Sequence, residues 1–218
     1  MEHNRAIAHS KNDQGIPHYL NDHLTAVARW AFELMPDATY KQVAFYTGLW
    51  HDLGKYNPDW QKRLEAIALA PGTRIGIPHA FQGALLAADY NFPAAFCIYG
   101  HHRGLPDWSE FRQQANNPDH IAARETAIAN AAIDFPTGLL PSDHLPVPQS
   151  WEQFDLMTRF LFSSVVDADY TDTARHFAGS QWLEMKRLSI HELLEKFNTG
   201  RKELLSIAFP GQMRYSSS

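Results

Sequence analysis

The sequence contains almost no cysteine. Cys97 is the one thiol among 218 residues, so the chain can form neither an internal disulfide nor a cysteine-based zinc site. Long apolar runs are missing too. No stretch approaches the roughly 18 residues of a membrane-spanning helix, and the opening MEHNRAIAHS lacks the apolar segment of a secretory signal. We therefore expect a soluble, cytoplasmic protein without a membrane partner.

An excess of positive charge is also absent. The 19 lysines and arginines are outnumbered by 24 aspartates and glutamates, which gives a formal net charge of -5. Such a chain has no overall attraction for nucleic acid, so nucleic-acid binding would require a local basic patch or bound metal ions. The phosphate-binding pattern GxxxxGK[ST] is missing as well, which argues against a nucleotide-driven motor in this sequence.

Helical patterns cover most of the chain. Apolar residues recur with helical spacing from Leu20 to Leu34, and Pro36 ends this segment. Further helices are predicted over about 40–53, 60–69, 78–90, 93 to either 100 or 104, 116–134, 151–177 and 189–207, with loops at 72–78 and 135–150. No strand pattern is longer than about five residues. These patterns predict an all-α fold, with one domain over 1–209 and a disordered tail at 210–218.

Histidine is abundant and unusually placed. Two of the twelve histidines, His101 and His102, stand side by side after a very apolar segment. His51 and Asp52 form a second polar pair where another apolar segment ends. Either pair could face solvent at a helix C-terminus, where the dipole favours a cationic imidazole. Neutral imidazoles and carboxylates are also the usual ligands of transition metals, so a metal site is the competing interpretation.

Three further segments place ligand-type side chains beside apolar stripes. His23 flanks the stripe of the first helix, and His79 stands at a helix start, where the dipole favours the neutral imidazole. Asp167 and Asp169 lie two positions apart in an otherwise apolar helix, so they cannot both face one cleft. Each residue alone has an ordinary structural explanation. Their joint occurrence favours one shared, polynuclear metal site inside a helical bundle.

These residues occur in an order that resembles the HD metal-dependent phosphohydrolase superfamily. Within it, the chain looks most like the CRISPR-associated HD nucleases, the nuclease half of the helicase–nuclease that degrades target DNA in type I CRISPR interference. The resemblance runs from residue 8 to about 175. It rests on AHSK at 8–11, HLTAVA at 23–28, GLWHDLGKYNPDWQKRL at 48–64, HAFQGALLA at 79–87, YGHHRGLPD at 99–107 and LFSSVVDADYTDT at 161–173.

The resemblance implies an HD-domain helical bundle with two divalent metal ions in a central cleft. By the matching motifs, one ion would be held by His23, His51, Asp52 and Asp169. The second ion would share Asp52 and add His79, His101 and His102. Asp169 is preferred to Asp167 because Ala168-Asp169-Tyr170 matches an Ala-Asp-aromatic motif of the family. Mixed imidazole and carboxylate ligands suit Mn, Fe, Co or Ni better than Mg.

An enzymatic function follows from the same resemblance. It implies a metal-dependent single-stranded DNA endonuclease, with 3'–5' exonuclease activity left open, in which His51, Asp52 and Lys55 are catalytic. Lys55 would lie near the scissile phosphate. The expected partners are single-stranded DNA, the CRISPR RNA-guided surveillance complex of antiviral defence, and a helicase on a separate chain or on a part of the protein absent from this sequence.

Two other functions remain open at this point. One is an HD phosphohydrolase acting on nucleotides or cyclic dinucleotides, and the other is a catalytically inactive docking module for a helicase. Aromatic and basic side chains near the motifs are candidates for holding a single strand, although the aromatic ones are equally typical of a core. These candidates are Tyr56, Trp60, Tyr99, Trp108, Lys62, Arg63 and Arg103.

Overall fold

The computed structural model describes residues 5–68, 75–182 and 190–208. Within these residues the chain forms nine α-helices and one short two-stranded sheet, which confirms the all-α prediction. The chain divides into two compact units, Met1–Ser180 and Gln181–Ser218. The predicted metal-site residues all belong to the first unit. The predicted disordered tail at 210–218 lies outside the described residues.

Eight of the described helices build the first unit. They are α1 Leu20–Leu34, α2 Lys41–Trp50, α3 Pro58–Ala68, α4 Ala80–Ala88, α5 Phe92–Gly100, α6 Trp108–Ala115, α7 Pro118–Asp134 and α8 Trp151–Ala178. Side-chain oxygens of Asn91, Asn117 and Ser150 accept a backbone N–H at the starts of α5, α7 and α8, which explains where these helices begin. The helix of the second unit is α9, Ile190–Ala208.

Some predicted boundaries were wrong. The second helix ends at Trp50 and is followed by a 3-10 turn over Leu53–Tyr56, instead of running into Leu53. Helix α6 was not predicted. The sheet was also missed, because its strands, β1 Ile7–His9 and β2 His18–Tyr19, are too short to show a periodic pattern. They pair in antiparallel orientation and bring His9 opposite His18.

The core of the first unit lies where α8 packs against α1, α2 and α5. Leu24 and Val27 of α1, Trp50 of α2, and Leu161 and Val165 of α8 are fully buried there. Burial of this apolar surface is the main favourable term for the fold. Because α2 ends inside this packing, the residues that follow Trp50 lie at the centre of the bundle. Among the described residues, no helix has the length and apolar character needed to cross a membrane.

Candidate metal centre

The structure brings the predicted site residues together from five helices. His23 lies in the first turns of α1, and His51 and Asp52 directly follow α2. Asp169 projects from the middle of α8. The other three residues stand at helix ends, with His79 before α4 and His101 and His102 after α5. Helices and helix ends, rather than long loops, therefore position the cluster.

Four side chains form a first group, which comprises His23, His51, Asp52 and Asp169. His23 Nε2 lies 3.5 Å from Asp52 Oδ2 and 3.4 Å from Asp169 Oδ1. His51 Nε2 lies 3.4 Å and 3.7 Å from the same two oxygens. The two imidazoles and two carboxylates thus direct their ligand atoms at one common point, as a metal ion requires.

A second group shares Asp52 and adds His79, His101 and His102. Asp52 Oδ1 lies 3.2 Å from His79 Nε2 and 3.5 Å from His101 Nε2. His79 Nε2 and His102 Nε2 are 2.9 Å apart. Each oxygen of the Asp52 carboxylate therefore faces a different set of imidazoles, and Asp52 joins the two groups.

Several polar atoms of these groups are buried without a hydrogen-bond partner. Among the described residues, the Nε2 atoms of His23, His51 and His101 and both carboxylate oxygens of Asp52 have no hydrogen bond, although Asp52 Oδ2 is ion-paired with Lys55. Leaving buried polar atoms unpaired is costly, and most folded proteins avoid it. A metal ion would satisfy such atoms, since neutral imidazole nitrogens and ionised carboxylates are ligand atoms. The residues present therefore fit a bound cation, and these buried groups lie within metal-binding distance of one another.

Contacts on the other ring nitrogen orient the buried imidazoles. His51 Nδ1 donates to the carbonyl oxygen of Gly48 at 2.7 Å, and His101 Nδ1 donates to that of Ile98 at 2.6 Å. Both acceptors lie three residues earlier on the same helix, so the local backbone fixes these rings. In the neutral ring, with Nδ1 protonated, each Nε2 keeps a lone pair directed into the cluster, and this is the form that binds a metal.

His23 is oriented by a carboxylate that the sequence analysis missed. Its Nδ1 lies 2.7 Å from Asp172 Oδ2, and the same oxygen lies 3.1 Å from His18 Nε2. His18 Nδ1 in turn lies 3.0 Å from His9 Nδ1. The spacing of Asp172, three residues after Asp169 on one helix face, could have indicated it. No sequence signal indicates His18, because the β1–β2 pairing brings it to this point.

Lys55 is buried at the centre of the cluster. Its Nζ lies 2.5 Å from Asp52 Oδ2 and 3.4 Å from His9 Nε2, and it donates to the carbonyl oxygen of Ala8 at 3.3 Å. The ammonium group therefore neutralises part of the charge on Asp52. The role of Lys55 near a scissile phosphate stays a prediction.

Burial and neighbouring charges set different proton affinities in the two groups. Burial lowers the pKa of His23, but hydrogen bonds to Asp169, Asp172 and Asp52 outweigh it and raise the pKa to about 9. Burial likewise opposes protonation of His51, yet Asp52 and Asp169 raise its pKa to about 10. In the second group, burial and the neighbouring His101 lower the pKa of His102 to about 4. The first group therefore holds protons that a cation would displace, whereas His102 is neutral at pH 7.

The remaining candidates lie in different surroundings. Asp167 is exposed in a surface hollow beside Leu34 and Pro36, and it belongs to neither ligand group. Tyr99 and Arg103 lie beside the second group in the same cleft as His79 and His102. Two aromatic candidates, Tyr56 and Trp60, are buried, and the other three, Trp108, Lys62 and Arg63, are exposed.

Comparisons with known proteins identify no family for this chain. A scan against protein-family models finds no match, and a search among curated proteins finds no significant match. The chemistry of the site therefore has to be inferred from the residues themselves.

Proposed function

We propose that this chain is a metal-dependent phosphodiesterase of the HD type that cleaves single-stranded DNA. One observation carries the proposal. The buried carboxylate of Asp52 presents Oδ1 to one group of imidazoles and Oδ2 to another. A carboxylate shared in this way is typical of two-metal hydrolytic sites. Two divalent ions would stabilise the negative charge that develops on the attacking and leaving oxygens of a phosphodiester.

The protein side chains hold, orient and expose this centre. His23, His51 and Asp169 would complete the first ion site and are largely buried. His79 and His102 of the second group reach the surface, and His102 is exposed. A substrate phosphate would therefore approach from the His79–His102 side. The imidazole-rich ligand set favours Mn, Fe, Co or Ni over Mg, which prefers oxygen ligands and water.

We also propose that the substrate is single-stranded DNA and that the partners are those of type I CRISPR interference. Both proposals are supported by the ordered motif set between residues 8 and 175, and by Tyr99 and Arg103 beside the second group. Aromatic rings together with arginine are how single strands are commonly held. The sequence contains no GxxxxGK[ST] pattern, so we expect cleavage without ATP, with unwinding supplied by a helicase partner of the type I interference complex.

Metal-dependent cutting of circular single-stranded DNA tests this function. Protein loaded anaerobically with Mn, Fe, Co or Ni should linearise the circle, and chelation should stop the reaction. Asp52→Asn should lower the rate by more than about 100-fold. Loss of a residue that only supports a metal ligand costs about 10–100-fold, so loss of a ligand shared by both ions should cost more. Asp155→Asn is the matched control, since Asp155 is an exposed aspartate paired with Arg159.

Three results would contradict the proposal. Unaltered cleavage by Asp52→Asn would exclude the shared-carboxylate mechanism. Hydrolysis of nucleotides or cyclic dinucleotides without any cutting of the circle would favour a small-molecule phosphohydrolase instead. Metal binding without hydrolysis of any of these substrates would favour an inactive docking module.

A further inference from the structure

We propose that the cleft beside the second ligand group binds a nucleobase of the strand whose phosphodiester is cut. The inference rests on the proposed function and names the part of the substrate that the site recognises. The cleft has a volume of about 350 Å³, within the usual range of small-ligand pockets. Its walls include His79, His102, Tyr99, Arg103, Gln114 and His120. Because His79 and His102 belong to both sites, a base in the cleft would lie next to a phosphate at the metal centre.

Tyr99 and Arg103 contact each other in one wall of the cleft. The Arg103 guanidinium lies 3.9 Å from the centroid of the Tyr99 ring. Glu110 holds both groups, since its Oε1 accepts from the Tyr99 hydroxyl at 2.9 Å and pairs with Arg103 at 2.9 Å. Guanidinium planes and aromatic rings are the surfaces on which unpaired bases stack. Tyr99 and Arg103 are thus held in place before a base arrives, which lowers the entropy cost of binding.

Gln114 and His120 give the cleft a polar edge. His120 Nε2 lies 2.9 Å from Gln114 Oε1, and the His120 ring packs against Phe81 with ring centroids 4.9 Å apart. When Oε1 accepts from His120, the Gln114 amide nitrogen keeps its two protons for a ligand. Ring nitrogens and carbonyl oxygens of a base are matching acceptors.

The charge of the cleft favours a base over a second phosphate. Arg103 already pairs with Glu110 at 2.9 Å, so its positive charge is largely compensated before any ligand binds. A phosphate subsite would be expected to present an uncompensated cation. An uncharged, planar ligand with acceptor atoms on its edge suits the walls better, and a nucleobase has this chemistry.

A comparison of normal and base-free strands tests the inference. The substrates are a single-stranded oligodeoxynucleotide and a strand of equal length built from tetrahydrofuran abasic units, which keeps every phosphodiester. For the metal-loaded protein, kcat/KM should be at least about tenfold higher on the normal strand, since one stacked base contributes on this scale. Arg103→Ala and Gln114→Ala should each lower this ratio severalfold. The control Arg159→Ala removes an arginine that is likewise exposed and paired with a carboxylate at 2.9 Å, and it should leave the ratio unchanged.

The outcomes separate the two proposals. If the protein cuts both strands with equal kcat/KM, the nucleobase inference is wrong and the proposed nuclease function stands. If Arg103→Ala slows both strands equally, Arg103 acts on the phosphate backbone, and the inference is also wrong. If the metal-loaded protein cuts neither strand, the proposed function fails, and the base subsite that depends on it fails with it.

Discussion

His23 is surrounded by three carboxylates. Its ring nitrogens lie 3.5 Å from Asp52, 3.4 Å from Asp169 and 2.7 Å from Asp172. Two of these carboxylates share the Nε2 side, and Asp172 alone faces Nδ1. A carboxylate on the far nitrogen of a metal-binding histidine fixes its tautomer and raises its basicity, which increases metal affinity. Asp172 is therefore a positioning residue for the first group.

Loss of this support should weaken one ion site and spare the other. We expect Asp172→Asn to lower the affinity of the first group for Mn or Co by about 10–100-fold. Isothermal titration with the metal alone should then show one weakened site. Asp172→Glu, which restores the carboxylate, should recover part of the affinity. Equal weakening of both sites by Asp172→Asn would indicate general disruption and contradict this role.

The two aspartates of the DADY segment should differ sharply. Asp169 lies among the ligand atoms of the first group, and Asp167 is exposed on another face of α8. We expect Asp169→Asn to lose about one bound ion per chain and to lower DNA cleavage by more than about 100-fold, by the same ligand-loss argument as for Asp52. Asp167→Asn should retain both the bound ion and the rate of DNA cleavage. Metal content and circular-strand cleavage measure the difference, and the reverse pattern would assign the ligand to Asp167.

The sequence indicates the candidate metal ligands better than the residues that orient them. Adjacent pairs of ligand-type residues are recognisable in the sequence, as at His51-Asp52 and His101-His102. Asp172 and His18 are not recognisable in this way, because their importance comes from contacts across 149 residues and across a two-strand pairing. Lys55 was recognised by its motif, but its ion pair with Asp52 depends on the 3-10 turn that follows α2.

Close contact between helices places these residues. A Cβ atom added to Gly48 of α2 would lie 2.8 Å from Ala28 Cα and 2.9 Å from the Ala28 nitrogen in α1. Backbone atoms cannot move aside as a flexible side chain can, so the two helices approach closely only with glycine at this position. The same contact fixes the end of α2, where His51 and Asp52 follow, relative to His23 in α1.

Substitution of this glycine should therefore loosen the unit. We expect Gly48→Ala to lower the free energy of unfolding by about 1–3 kcal/mol, the usual cost of overpacking. Gly200 of α9 is the matched control, because a Cβ there meets no atom of the described residues within 4 Å. Gly200→Ala should be neutral or stabilising by up to about 1 kcal/mol through helix propensity. Denaturant unfolding checks both, and a neutral Gly48→Ala would mean that α1 and α2 can separate without cost.

The sequence correctly predicted the helices in which apolar residues recur with a clear helical period. Apolar spacing identified α1 and α8, and the proline-rich stretch 135–150 was correctly predicted to lack regular structure. Helix α6 was missed because eight residues give little periodic signal. The predicted extension of α2 to Leu53 overlooked the turn at His51 and Asp52. This turn directs both buried side chains into the cluster.

Protonation of His23 would oppose metal binding at the first group and affects the stability of the first unit. The pKa of His23 is raised from 6.5 to about 9 in the folded protein. Its contribution to the stability of the metal-free protein is therefore complete below about pH 6.5 and is lost as the pH rises through about 9. A metal ion requires the deprotonated imidazole, so its affinity rises over the same range.

The melting temperatures of the metal-free and the metal-loaded protein should consequently diverge as the pH rises. Between pH 6.5 and 8.5, we expect the melting temperature of chelator-treated protein to fall relative to that of Mn-loaded protein. The difference between the two melting temperatures should widen as the pH increases, because tighter binding stabilises the native state more, with the logarithm of the affinity. Scanning calorimetry at several pH values measures it. A difference that stayed constant or narrowed would contradict the competition between protons and metal at His23.

The hydrogen bond between His23 and Asp172 also has a consequence for biosynthesis. Its partners are separated by 149 residues, which a ribosome adds in roughly 7–30 s at about 5–20 residues per second. From residue 102 onward the nascent chain carries His51, Asp52, His101 and His102 but has no α8 to supply Asp169 and Asp172. The first ligand group is completed only when translation of the first unit is almost finished. The order of these residues along the chain thus delays assembly of the candidate metal centre until the bundle that surrounds it can close.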